Sequence, residues 1–129
     1  MMNDSAGLDA FGGKRYLNLE TYRKTGRGVR TPVWFAADPA GPGGPTLYVY
    51  STAASGKAKR IRRTGVVKIA PCDARGRVTD SWIAAHAAIV GSEEFALGMR
   101  LLDRKYWPWK RILDLFARHP RVMFAIRPA

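Results

Sequence analysis

Apolar positions along this chain recur with two different periods. From Arg15 to Lys24, Tyr16, Leu19 and Tyr22 stand at helical spacing, which predicts a short helix ended by Gly26 and Gly28. Gly28 to Ala37 carries Val29, Thr31, Val33, Trp34 and Phe35, all strand formers. Thr46 to Ala53 predicts a second strand. Between them Asp38-Pro39-Ala40-Gly41-Pro42-Gly43-Gly44-Pro45 is a turn, because proline fixes φ and glycine supplies positive φ. The two strands are expected to form a hairpin with a loose loop.

Gly56 to Arg63 contains no helix breaker after its first residue and predicts a two-turn helix. Gly65 to Pro71 is a third strand, and Asp73-Ala74-Arg75-Gly76 a turn. A fourth strand spans Trp82 to Val90, with Ile83, Ala85, Ala87 and Ile89 on one face. Ser92 is placed to cap a helix whose first turn holds Glu93 and Glu94, where carboxylates suit the dipole. Phe95, Met99, Leu102 and Tyr106 continue that helix. Pro108 interrupts it; Trp109, Ile112, Leu113 and Phe116 mark another, closed by His119-Pro120. Arg121 to Arg127 alternates, with Val122, Phe124 and Ile126 on one side and Met123 and Ala125 on the other. Short antiparallel strands with small helices in the gaps predict a mainly β fold, a barrel with helices over its open ends.

Charge then narrows the partner. The 129 residues include 22 basic and 10 acidic side chains, a net charge of +12. Nucleic acid, an anionic membrane or a polyanionic small ligand would answer to that balance. Both basic clusters, 57–63 and 100–111, are interleaved with apolar residues at helical spacing, unlike a disordered basic tail, and no nucleic-acid-binding motif is present. No apolar run reaches the roughly 18 residues that a membrane span needs. Residues 1–13 are polar and small, unlike a secretory signal, and are expected to be a disordered leader before a single domain over 14–129. Cys72 is the sole cysteine, which fits a strand end in a reducing cytoplasm.

Candidate chemistry concentrates in Ser51 to Arg63. Two hydroxyls, a glycine and several cations follow directly on the apolar run Leu47-Tyr48-Val49-Tyr50. A strand running into a small-residue turn and a basic helix aims N–H groups, hydroxyls and ammoniums at one point, as a phosphate requires. Thr52, Ser55, Lys57 and Lys59 can serve it; Arg60, Arg62 and Arg63 could meet further negative charge. A solvated basic helix without a ligand is the competing reading. The Walker pattern is absent, so nucleotide hydrolysis is not indicated. Upstream, Pro32 cannot donate in a ladder and marks an edge or bulge. Backbone freed beside Thr31, Pro32 and Val33 could meet the rim of a flat heterocycle, with Trp34 beneath. No Ser-His-Asp constellation and no metal-ligand spacing appears, and no catalytic residue is identified.

The segments Tyr16 to Lys24, Arg30-Thr31-Pro32-Val33-Trp34-Phe35 and Ser55 to Arg63 together resemble the pyridoxamine-5′-phosphate-oxidase-like split-barrel family, and within it the branch that binds the deazaflavin coenzyme F420. Lys105-Tyr106-Trp107 resembles a Lys-Tyr-Gly element of such proteins, with Trp107 in place of the glycine. The resemblance implies a six-stranded antiparallel split β-barrel with small flanking helices, assembled as a homodimer with a flavin-like cofactor in each groove. It implies that Thr31, Pro32, Val33 and Trp34 lie by the ring and Ser51, Thr52, Ser55, Lys57 and Lys59 by the phosphate. F420 also carries an oligoglutamate tail, for which Arg60 and Arg63 are candidates. FMN is the alternative cofactor. The implied activity is hydride transfer between reduced F420 and a small acceptor such as an activated alkene or quinone. A protein that holds the cofactor without turnover is the second expectation, and a nucleic-acid-binding protein the weakest.

Overall fold

The computed structural model describes residues 4–107 and 120–129. Its frame is one antiparallel sheet of seven strands: β1 (Tyr16–Tyr22), β2 (Gly28–Trp34), β3 (Ala36–Asp38), β4 (Thr46–Thr52), β5 (Val66–Cys72), β6 (Ile83–Ile89) and β7 (Arg121–Pro128). Two helices, α1 (Gly56–Thr64) and α2 (Ser92–Tyr106), flank it. The spatial order is β2-β1-β5-β6-β7-β4-β3. The sheet curls into a half-barrel whose two edge strands, β2 and β3, are consecutive in the chain and separated only by Phe35.

This frame corrects two expectations and explains why there are seven strands rather than six. The stretch 15–24 is not a helix. Leu17, Leu19 and Thr21 are buried on one face of β1; this period-two set outweighs the three-residue spacing of Tyr16, Leu19 and Tyr22 because it puts both leucines into the core. The segment 28–37 is not one strand in a hairpin with 46–53 either. It breaks at Phe35. β2 pairs with β1 (Leu19 opposite Thr31), whereas only β3 pairs with β4 (Ala36 opposite Tyr48).

The other strands and α1 stand where the periodicity places them. α1 follows from its ends. The Ser55 hydroxyl accepts the Ala58 N–H at 3.1 Å, and Gly65 closes the helix at φ 71° with its N–H on the Ile61 carbonyl. α2 differs in its cap. Gly91 holds the N-cap position without a side-chain bond, and Ser92 is already the first helical residue, one position too late to cap. Glu94 tethers that end instead, accepting from the Tyr48 hydroxyl at 2.6 Å and from Arg127 at 2.8 Å. The helix expected over Trp109 to Phe116 lies outside the described residues.

β7 is buried on both faces, as its alternation requires. Phe124 and Ile126 join Leu17, Leu19, Leu47, Val49 and Ile69 inside the curl, with Ala58 and Ile61 of α1 above them. Met123 and Ala125 pack on the opposite face with Tyr48, Leu102 and Tyr106, under α2. Within the stretch expected to be a leader, Asp4–Phe11 forms a short 3-10 helix, and the Phe11 ring meets Phe35 edge to face at 5.9 Å. No helix among the described residues is long and apolar enough to cross a membrane.

Candidate functional site

The curl leaves a split. Beyond its three pairs with β3, β4 continues as Val49 to Thr52 with β7 on one side only, and the outer edge of β2 carries no strand. An open groove of about 420 Å³ occupies this split, lined by Val33, Trp34, Tyr50, Ser51, Thr52, Ser55, Lys57 and Arg121. Its chemistry is graded. Val33, Trp34 and Tyr50 form an apolar, aromatic wall. Ser51, Thr52, Ser55 and Lys57 gather at the N-terminus of α1, and none of the described residues lining the groove is a carboxylate.

The hydroxyls at the polar end are already arranged. Ser51 Oγ lies 3.0 Å from Ser55 Oγ, which also caps the helix by accepting the Ala58 N–H. With Ser51 as the donor to Ser55, both lone pairs of Ser55 are engaged and its own O–H is left to donate outward. Lys57 is half-buried, and its ammonium makes no hydrogen bond to any described residue. Burial lowers its pKa, and the Arg60 guanidinium adds to that. An anion here would relieve both effects. Arg121 also lines the groove, its guanidinium 4.6 Å from the Tyr50 ring centre.

On the other flank of the first turn of α1 lies a second groove of about 250 Å³, lined by Arg23, Lys24, Gly56, Lys59, Arg60 and Arg63. Two of its cations are fixed. Arg60 Nε donates to Thr21 Oγ1 at 2.6 Å, and Arg63 donates to the Tyr22 carbonyl at 2.7 Å. The Arg60 guanidinium folds back over Gly56, where a β-carbon would lie 2.8 Å from Nη1. These bonds join α1 to the end of β1 and leave the remaining guanidinium N–H groups on the groove.

The residues singled out from the sequence therefore divide into three sets. Val33, Trp34, Ser51, Thr52, Ser55 and Lys57 meet in the first groove; Lys59, Arg60 and Arg63 meet in the second. Thr31 and Pro32 line neither, and Pro32 lies on the exposed edge beside Gly76. Sequence reasoning missed Tyr50 and Arg121 as lining residues. Tyr50 carries a signal, since it directly precedes Ser51. Arg121 is brought in by a register, opposite Thr52 across β4 and β7, that no local pattern announces.

The end of α2 bears on the wall of the first groove. Tyr106 stacks under Trp34 with ring centres 4.7 Å apart and planes within 7°. Its hydroxyl accepts the Phe35 N–H at 3.1 Å and reaches the carbonyls of Phe35 (2.8 Å) and Arg15. Lys105 Nζ donates to the same Phe35 carbonyl at 2.8 Å. Trp107 follows at φ −60° and ψ 138°, ordinary extended backbone that does not demand a glycine. His86 lies exposed on β6, outside both grooves. No cluster of metal-ligating side chains occurs among the described residues.

No family model and no curated protein matches this chain. Solved structures match its fold. The heme storage protein HutZ from Vibrio cholerae superposes with a TM-score of 0.70 at 16% identity, over 99% of this chain and 92% of that one. An FAD-binding protein from Mesorhizobium loti gives 0.67 at 15% identity, over 99% and 91%. A candidate pyridoxamine 5′-phosphate oxidase from Listeria innocua gives 0.64 at 18% identity, over 97% and 92%. The chain shares the split-barrel fold of these proteins.

Proposed function

We propose that this protein binds a flavin-type redox cofactor in the split of its barrel, coenzyme F420 in the first place and FMN in the second, and acts as an oxidoreductase on a small organic acceptor. One observation carries the reading: a single groove joins a flat aromatic wall to three hydroxyls, an ammonium and a helix N-terminus, with no carboxylate among its described lining residues. That donor set suits a planar heterocycle with a phosphate arm. The names of two fold neighbours, one FAD-binding and one a candidate pyridoxamine 5′-phosphate oxidase, point the same way. The cationic groove across the first turn of α1 supports F420 over FMN, because a carboxylate-bearing tail leaving the phosphate would meet Lys59, Arg60 and Arg63 there.

A bound deazaflavin or flavin supplies the hydride chemistry. The chain's own work is to bind and orient. Ser51, Thr52, Ser55 and Lys57 hold the phosphate. Val33, Trp34 and Tyr50 set the plane of the ring and keep water from one side of it, and Arg121 adds a cation to the lining. The open side of the groove is closed in this reading by a second copy of the chain, as a homodimer.

Titrating the purified protein with F420 and with FMN tests the reading. Quenching or a rise in anisotropy is expected at tens of micromolar cofactor or below, weakened in Lys57→Ala. Binding of FMN alone would select the second cofactor, and binding of neither would reject the proposal.

A further inference from the structure

The break between β2 and β3 frees both backbone groups of Phe35, which is 1% exposed. A buried N–H or C=O without a partner costs as much as a lost hydrogen bond. Here both partners come from one turn of α2: the Tyr106 hydroxyl oxygen accepts the N–H, the Lys105 ammonium donates to the C=O, and the one Tyr106 hydroxyl hydrogen is shared between that C=O and the Arg15 carbonyl. The same Tyr106 ring is the support beneath Trp34. β2 is an edge strand containing a proline, so strand pairing from β1 alone holds that wall.

We propose that Lys105 and Tyr106 are positioning residues: by clamping the strand break at Phe35 they hold Trp34 as a fixed wall of the groove, and so set its affinity for a planar ring but not for phosphate. The inference rests on the cofactor reading given above. The phosphate end belongs to β4 and α1, which make no hydrogen bond to Lys105 or Tyr106. Loosening the clamp therefore separates the two halves of the ligand energetically. Lys105 also lies 3.6 Å from the centre of the Phe35 ring, so its charge faces that ring as well as the carbonyl.

Tyr106→Phe keeps the ring under Trp34 and removes the hydroxyl. Its affinity for FMN and F420 should fall by about tenfold, the equivalent of one or two hydrogen bonds. Its affinity for inorganic phosphate, read by calorimetry, should match the parent's. Equal losses for cofactor and phosphate, or no loss for either, would overturn the proposal. Should Tyr106→Phe fail to fold, Lys105→Met carries the same comparison, with a smaller loss for the cofactors alone. Should the parent protein bind neither cofactor, the functional reading falls and hydrogen exchange still decides the clamp. The Phe35 amide should then lose protection in Tyr106→Phe while the Val49 amide keeps it, and an unchanged Phe35 amide would refute the clamp.

Discussion

Gly65 shows how tightly single positions are set. It ends α1 at φ 71°, donates to Ile61 and accepts from the Ala87 N–H at 2.8 Å. A β-carbon there would fall 2.5 Å from His86 Cε1 and 2.9 Å from the Ala87 carbonyl oxygen. Gly65→Ala should cost at least about 2 kcal/mol, since the left-handed backbone and the clash add. Adding His86→Ala should recover only part of this, because the carbonyl is backbone. Urea denaturation measures both; a cost below about 0.5 kcal/mol for the single change would contradict the geometry. At this scale much of the candidate site was legible. Ser55 was readable as a donor because hydroxyl, glycine and lysine follow a strand directly, whereas its capping bond to the Ala58 N–H was not read. Arg60 was readable as a cation but not as a fixed one, since its partner Thr21 is 39 residues away in sequence.

Among the elements, α2 gives the clearest link between burial and pH. The stem of Lys105 is exposed, but its ammonium reaches in to the Phe35 carbonyl, and burial lowers its pKa to about 8. The unfolded chain holds that proton up to about 10.5. Between pH 8 and 10 the unfolded state thus binds more protons, and stability should rise with pH. Tyr22 and Tyr106, raised mainly by burial to about 12 from 10, act oppositely: their contribution is whole below pH 10 and is lost above it. Denaturation curves from pH 7 to 11 should therefore show a gain and then a loss, and Lys105→Met should flatten the gain alone. A rising limb unchanged in that variant would exclude Lys105 as its source. The elements were less legible than the residues. β1 presents a helical and a strand spacing at once, and only its neighbours β2 and β5, which bury Leu17 and Leu19, decide between them. The break at Phe35 has no local signature because its partners arrive from Lys105 and Tyr106.

For the whole molecule, part of the charge of +12 gathers in the second groove, where Arg23, Lys24, Lys59, Arg60 and Arg63 lie together. Lys59→Ala combined with Arg60→Ala should weaken F420 binding several-fold, steeply so at low salt, and leave FMN nearly unaffected, because only the former carries carboxylates past its phosphate. Parallel titrations at two ionic strengths measure this. Equal effects on both cofactors would remove the tail assignment. The barrel itself was visible in the alternation of its strands. Its strand order was not, because that order depends on pairings such as β4 with β7 between residues roughly seventy to eighty positions apart, Leu47 opposite Ile126 among them.

That pairing governs how the protein comes into being. β7 stands between β6 and β4, in the middle of the sheet rather than at a margin. A nascent chain that has emerged only as far as residue 119 must present two raw strand edges, with the hydrophobic interior on show between them. Without β7, β4 and β6 share no partner and the groove lacks Arg121, so a chain cut before residue 120 is expected to lose the groove and to aggregate through those edges.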